Sequence, residues 1–297
     1  MPELPEVEVV RRGLEKHLVG LHFTAVEVLD SRPLRKHVGG PASFVDQLVG
    51  RQVQAAVRRG KFLWLVLDDG AALTAHLGMS GQLLVHSGLE AEHFNHRHLR
   101  VRLRLEGSTV LHHVDQRMFG GLAVVDMVPT SDGFPGGCGS QLNAIPVTDT
   151  HVARDVLDPY LDKAQGIGRL QASSRAIKTQ LLDQGVISGI GNIYADEALW
   201  AARIAGARPG SSLSKAKLKL LLQSTGEVMQ RALAQGGTSF DALYVNTEGE
   251  AGYFARSLEV YGREGQPCSR CGRLLRKEVI GGRSHVRCPN CQRNKQG

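Results

Sequence analysis

The sequence predicts an α+β protein: a strand-rich N-terminal half, then a helical half, then a small metal-binding hairpin. Three observations carry this. Short segments between residues 52 and 114 alternate apolar and polar residues or run apolar throughout, with turn residues between them. From about 150 to 235, apolar residues recur instead at three- and four-residue spacing. Four of the five cysteines form two CxxC pairs close to the C-terminus.

Residues 4–18 are predicted as a helix. Val7, Val10, Leu14 and Leu18 share a face, Pro5 suits a first turn, and Glu3, Glu6 and Glu8 complement the positive end of the helix dipole. Residues 21–126 read as strands. The strictest alternation is in 98–105, where Leu99, Val101, Leu103 and Leu105 are apolar and His98, Arg100, Arg102 and Arg104 give a wet, basic face. Other strands are predicted at 52–57, 62–67, 71–77 and 109–114, with turn chemistry at Arg59-Gly60 and Asp69-Gly70. Strands so closely spaced make a sandwich or a barrel. The stretch 127–146 holds Pro129, Gly133, Pro135, Gly136, Gly137, Gly139 and Pro146 and reads as an interdomain linker.

In the helical half, Ile177 and Leu181 share a face, as do Ala195, Leu199 and Ala202, and Leu213 to Ala234 reads as a long lysine-bearing helix. A polar loop, roughly 238–252, precedes the cysteines. The predicted division is 1–130, a linker at 131–148, then 149–262 and 263–297.

The 297 residues carry 36 Lys and Arg against 29 Asp and Glu, a formal charge of +7. That balance favours polyanionic partners, nucleic acid before an anionic membrane. No run of roughly 18 apolar residues is present, so no membrane span is expected. The start lacks a basic leader and apolar stretch, so it does not read as a secretory signal, and a cytoplasmic protein is expected.

Cys268 and Cys271 are followed, after sixteen residues, by Cys288 and Cys291. Each CxxC sets two thiolates on one side of a tight turn, and two such turns on a β-hairpin make a tetrahedral S4 cage suited to one zinc ion, with iron or a redox pair as the alternatives. A four-thiolate site is closed, so the metal would be structural. Function must then come from what the hairpin displays. From Cys268 onward there are eight basic residues (Arg270, Arg273, Arg276, Lys277, Arg283, Arg287, Arg293, Lys295) and one acid, Glu278. This points to nucleic-acid contact, with Arg283 at the hairpin tip after Gly281-Gly282. Gly189-Ile190-Gly191-Asn192 separates two predicted helices, with Asn192 as a good N-cap; such a turn can hold a phosphate or be a plain corner.

The start Met1-Pro2-Glu3-Leu4-Pro5-Glu6-Val7-Glu8 resembles that of the bacterial formamidopyrimidine-DNA glycosylases. The resemblance continues in order through Arg59-Gly60-Lys61, His76-Leu77-Gly78-Met79-Ser80-Gly81, Asp115-Gln116-Arg117-Met118-Phe119-Gly120, Gly189-Ile190-Gly191-Asn192-Ile193-Tyr194, Val260-Tyr261-Gly262-Arg263 and the cysteine hairpin. It implies a two-lobed fold: an N-terminal β-sandwich with an N-terminal helix, then a helix–two-turn–helix domain with a zinc finger. It also implies a monomer that acts on duplex DNA carrying oxidised bases or abasic sites, among the DNA of the nucleoid.

By resemblance, Pro2 is the nucleophile once Met1 is removed, its amine attacking deoxyribose C1′ to form a Schiff base. An α-amino group near pKa 7.7–8.0 is roughly a quarter neutral near pH 7.5, whereas a free lysine is only about 0.1% neutral. Glu3 matches the general acid/base and Glu6 a nearby acid. Lys61 matches a lysine that contacts phosphate and assists base loss. His76, Asn192, Tyr261 and Arg283 match residues that grip phosphates. Met79, Arg117 and Phe119 match a trio that fills the gap left by an extruded nucleotide; without the resemblance, Met79 and Phe119 read as core residues. Met118 stands where the family often has a second Arg. The loop 238–252, which would cover the flipped base, is less lysine-rich than in other members. Cys138 reads as a free thiol. The implied activity is excision of 8-oxoguanine and formamidopyrimidines followed by strand cleavage through β,δ-elimination. The alternatives are the same scaffold acting on oxidised pyrimidines, as in the endonuclease VIII branch, and a non-catalytic lesion-binding protein.

Overall fold

The computed structural model describes residues 2–237, 246–250 and 254–293. The chain divides into two compact units, Met1–Thr150 with Gln235–Tyr253 and His151–Ala234 with Phe254–Gly297.

The first unit opens with α1 (Leu4–Leu18), matching the predicted span. Then follow β1 (Phe23–Val28), α2 (Gly40–Leu48), β2 (Val53–Arg59), β3 (Phe62–Leu67), β4 (Ala72–His76), β5 (Gly81–Ser87), α3 (Gly88–His93), β6 (Leu99–Leu105), β7 (Thr109–Asp115), β8 (Gly121–Val125), β9 (Met127–Pro129) and β10 (Ala144–Pro146). Two four-stranded antiparallel sheets result, ordered β1-β6-β7-β5 and β2-β3-β4-β8. Their inner faces share one core with α1 and α2, so the sandwich is the realised alternative. The alternation in β6 holds in part: Val101, Leu103 and Leu105 enter the central core, but a register shift between Leu99 and Val101 sends Leu99 to a separate cluster with Leu84 and Val114. Of the expected wet, basic face only Arg104 is exposed, Arg100 and Arg102 being largely covered. In β3 both faces are buried, because Leu63, Leu65 and Leu67 meet the central core while Trp64 and Val66 pack on Ile145 behind the sheet.

Two helices interrupt the stretch expected to be all strand. In α2, Gly40-Pro41 supplies a helix start, and Phe44 and Leu48, one turn apart, are the buried pair. The second is the six-residue α3. The glycine- and proline-rich stretch after β8 is built into this unit. Strands β9 and β10 pair, and Arg58 and Cys138 exchange backbone hydrogen bonds at 3.0 and 2.8 Å. A Cβ on Gly137 would lie 2.3 Å from the Arg58 carbonyl, so only glycine permits this approach.

The second unit contains α4 (Lys163–Gln171), α5 (Ile177–Leu181), α6 (Asn192–Ala201) and α7 (Lys215–Ala234), then the hairpin β11 (Arg276–Ile280) and β12 (Arg283–Arg287). The helical content expected from 150 to 235 is thus four helices joined by turns. Trp200 at the end of α6, with Val260, Leu275 and Val286, forms a small core around Cys268 and Cys288. The fold is therefore α+β, as predicted.

Candidate active site and nucleic-acid interface

The candidate residues fall into two groups. Pro2, Glu3, Lys61, His76, Met79, Arg117 and Phe119 lie in the first unit, and Asn192, Tyr261, Arg283 and the four cysteines in the second.

Pro2 is buried directly before α1, and Glu3, 3% exposed, is its N-cap. Glu6 accepts the Glu3 backbone N–H at 2.9 Å, the return half of a capping box. Glu3 thus has a structural task, and its carboxyl is held in a desolvated spot one residue from the Pro2 nitrogen. Further along α1, the Glu8 carboxylate meets Arg58 at 2.9 Å and Arg11 at 3.0 Å. This ties α1 to β2, whose turn into β3 carries Lys61, half-buried. Burial pushes the Glu8 carboxyl up, but hydrogen bonds and charge from Arg11 and Arg58 outweigh it and bring it down to about 2.

His76 ends β4. Its Nδ1 accepts the Gly78 N–H at 3.2 Å. Burial, then the positive charges of Lys36, Lys61 and Arg35, hold its imidazole below the ordinary histidine value. His76 is therefore a neutral hydrogen-bonding group near pH 7 in a basic neighbourhood that includes Lys61.

Met79 sits between β4 and β5, and Arg117 and Phe119 between β7 and β8. Both loops are locked by Asp115, which is fully buried. Its carboxylate accepts from Ser80 Oγ at 2.5 Å, from the Gly120 N–H at 2.8 Å and from the Arg117 N–H at 3.1 Å. Arg35 spans the second loop from outside, donating to the carbonyls of Gly120 at 2.7 Å and Phe119 at 3.1 Å. Gly78, at φ 58°, brings the loops into contact: a Cβ there would lie 2.4 Å from the Phe119 carbonyl carbon. Met79 is 36% exposed and Phe119 53%, so the core reading of these side chains does not hold. The Arg117 guanidinium lies 5.4 Å from the Phe119 ring centre. Rigid loops thus hold two large apolar side chains and an arginine out in solvent.

In the second unit, Gly189 at φ 87° makes the turn before α6. Gln184 braces it, accepting from the Gly189 N–H at 2.9 Å and donating to the Ile190 carbonyl at 3.0 Å. The N-cap of α6 is Gly191, not Asn192; Asn192 is the first helical residue and spends its Nδ2 on Ser284 Oγ at 3.2 Å. That bond joins the helix start to β12, where Arg283 is exposed at the hairpin end with no carboxylate partner among the described residues. The Tyr261 N–H is held by Glu197 at 2.9 Å. Of the basic hairpin residues, Arg270 is diverted to structure, stacked 3.9 Å over Trp200, and Arg287 pairs with Glu278 at 2.9 Å.

The sulfurs of Cys268, Cys271, Cys288 and Cys291 all lie within 4.8 Å of one another. Zinc–sulfur bonds of about 2.3 Å imply tetrahedral edges of about 3.8 Å, so the set fits a zinc ion. Burial and the neighbouring sulfurs push the Cys291 thiol up. Four thiolates at this distance need a cation between them.

The loop 238–252 lies outside the described residues except for 246–250, and Met1 and Lys295 lie outside them as well. Sequence reasoning assigned no role to Arg35, Ser80, Asp115, Gln184, Asp196 or Glu197. Ser80 and Asp115 lie within the segments His76–Gly81 and Asp115–Gly120, which carry the family resemblance; Arg35 lies in no such segment, and the loop it braces is 83 to 85 residues away.

Residues 1–122 match the formamidopyrimidine-DNA glycosylase N-terminal domain, 152–242 the formamidopyrimidine-DNA glycosylase H2TH domain, and 265–294 a zinc finger found in FPG and IleRS. The chain is 52% identical to the formamidopyrimidine-DNA glycosylase of a Nocardioides species, over 98% of this chain and 94% of that one. It is 51% identical to the Mycolicibacterium gilvum protein of the same name, over 98% of each. Among solved structures it resembles the Thermus thermophilus MutM (FPG) protein, with TM-score 0.80 and 33% identity over 98% of both chains. It also resembles the Lactococcus lactis Fpg in complex with abasic-site DNA, with TM-score 0.80 and 29% identity over 98% of this chain and 100% of that one.

Proposed function

The chain belongs to the formamidopyrimidine-DNA glycosylase family, and we propose that it removes 8-oxoguanine and formamidopyrimidines from duplex DNA and then cleaves the strand. The observation that carries the chemistry is the buried Glu3 carboxyl one residue from the Pro2 nitrogen. The Pro2 amine, freed by loss of Met1, attacks C1′ as the glycosidic bond breaks and the base departs with a proton. The ring opens to a Schiff base. Glu3 moves protons at the sugar and during elimination. Loss of the C3′ and then the C5′ oxygen leaves phosphates at both ends of a one-nucleotide gap, and hydrolysis of the imine frees Pro2.

Lys61 and neutral His76 contact phosphate in this reading, as do Asn192, Tyr261 and Arg283. Met79 and Phe119 wedge into the vacated stack while Arg117 bonds the orphaned base, which accounts for apolar side chains held in solvent. Zinc on Cys268, Cys271, Cys288 and Cys291 is structural. The first unit, 1–150 with 235–253, serves as the catalytic part, and the second, 151–234 with 254–297, as the DNA-binding part that ends in the zinc finger, in a monomeric protein of the cytoplasm. A duplex with one 8-oxoguanine opposite cytosine tests this. The expected products carry phosphates on both sides of the gap, and Glu3→Gln slows excision by at least about 100-fold. Activity confined to oxidised pyrimidines would replace the substrate assignment.

A further inference from the structure

Three of the proposed phosphate-gripping residues hang from one helix. Asn192 begins α6. One turn later Asp196, fully buried, accepts from Lys178 Nζ on α5 at 2.6 Å, from His285 Nδ1 at 2.6 Å and from the Val286 N–H at 2.9 Å. Lys178, also fully buried, donates in addition to the Ser284 carbonyl. With the Asn192–Ser284 bond, three successive residues of β12 (Ser284, His285 and Val286) are fastened to α5 and α6 immediately behind Arg283. The next residue of α6, Glu197, accepts the backbone N–H groups of Glu259, Val260 and Tyr261 at 3.0, 2.9 and 2.9 Å.

Burying a lysine and a carboxylate costs desolvation of both, and apolar side chains in their place are often no less stabilising. What the ionic arrangement adds is direction. An apolar contact between β12 and the helices tolerates sliding, whereas one carboxylate bound to donors on a helix and a strand defines their register. The site is also full: a Cβ on Gly206 would lie 2.7 Å from His285 Nε2.

We infer that Asp196 is a positioning residue for DNA binding, fixing the strand that carries Arg283 against the helix start that carries Asn192 so that the two act as one phosphate clamp, with Glu197 doing the same for the segment of Tyr261. The inference rests on the proposed phosphate contacts of Asn192, Tyr261 and Arg283. It predicts loss of affinity through Arg283, not a general loss of folding.

The test is a double-mutant cycle in the zinc-loaded full chain: Asp196→Asn, Arg283→Ala and the pair, titrated with duplex DNA carrying one tetrahydrofuran abasic analogue over a salt series. Asp196→Asn is expected to weaken binding about tenfold. It should lower the slope of log affinity against log salt by about 1, the signature of one lost phosphate contact. The pair should bind no more weakly than Arg283→Ala alone. Independent losses that multiply in the pair, or unchanged affinity in Asp196→Asn at full zinc content, would overturn the inference. If Asp196→Asn fails to fold, the cycle of Glu197→Gln with Tyr261→Phe decides by the same criterion. A wild-type chain with no preference for the abasic duplex over undamaged DNA would overturn the proposed function as well, which separates the two failures.

Discussion

Glu8 and two histidines of β7 are buried titratable groups with opposite reasons for their shifts. The Glu8 carboxylate, 3% exposed as a side chain, is held down to about 2 by Arg11 and Arg58 against the cost of burial. Its pKa is lower folded than unfolded, so its contribution is complete above about 4.5 and is lost as pH falls toward 2. A shift of this size corresponds to about 3 kcal/mol. His113, with neither ring nitrogen bonded to a described residue, is pushed down to about 4 by burial and by Arg100, and His112 to about 3 by burial, His86 and nearby arginines. Here the unfolded chain takes up protons first, below about 6.5, so stability falls as pH drops from there. The slope is about 1.4 kcal/mol per pH unit for each proton. Urea midpoints measured from pH 8 to 3 should therefore decline in two stages. His113→Phe should remove part of the first and leave the second, which Glu8→Gln removes at a large cost in stability at pH 7. A single decline beginning below pH 4.5 would contradict the burial of neutral histidines.

Among the elements, those with strong periodicity were legible: α1 over 4–18, and β6, whose basic residues alternate with three buried leucines and a buried valine. The short helices α2 and α3 were not, because each spans fewer than ten residues and buries only one or two of them, too few to show a period. The same division holds for the site. Motif residues such as Lys61, Met79 and Arg117 could be named from the sequence, whereas Arg35, Asp115, Asp196 and Glu197 act through contacts that only the tertiary fold creates. Asn192 is not the cap its residue type suggests: the cap lies one residue earlier, at Gly191, and the Asn192 amide serves β12. The loops beside Asp115 carry the clearest prediction at this scale. Asp115→Asn sets an amide donor among three donors and loosens both loops. Since misplacing groups by about 1 Å can cost about 100-fold, excision should fall at least tenfold while affinity for undamaged duplex stays near wild type. Single-turnover excision and a binding titration check this, and parallel loss of both would argue against a gap-filling role for the loops.

For the whole molecule, the formal charge of +7 and the basic cysteine hairpin act together. The thiolate cage makes the hairpin's fold depend on metal, so chelation should release one zinc per chain, unfold the hairpin and abolish binding to abasic duplex. Metal analysis beside a binding titration checks this, and binding retained without metal would contradict it. The central claim is covalent catalysis at the N-terminus, and borohydride trapping tests it most directly. Protein with a free Pro2 is mixed with duplex DNA bearing one 8-oxoguanine opposite cytosine, borohydride reduces any Schiff base, and peptide mass locates the link. The account predicts a cross-link at Pro2 that disappears when the amine is blocked. A cross-link at a lysine, or none at all from protein that binds the duplex with its Pro2 free, would contradict it.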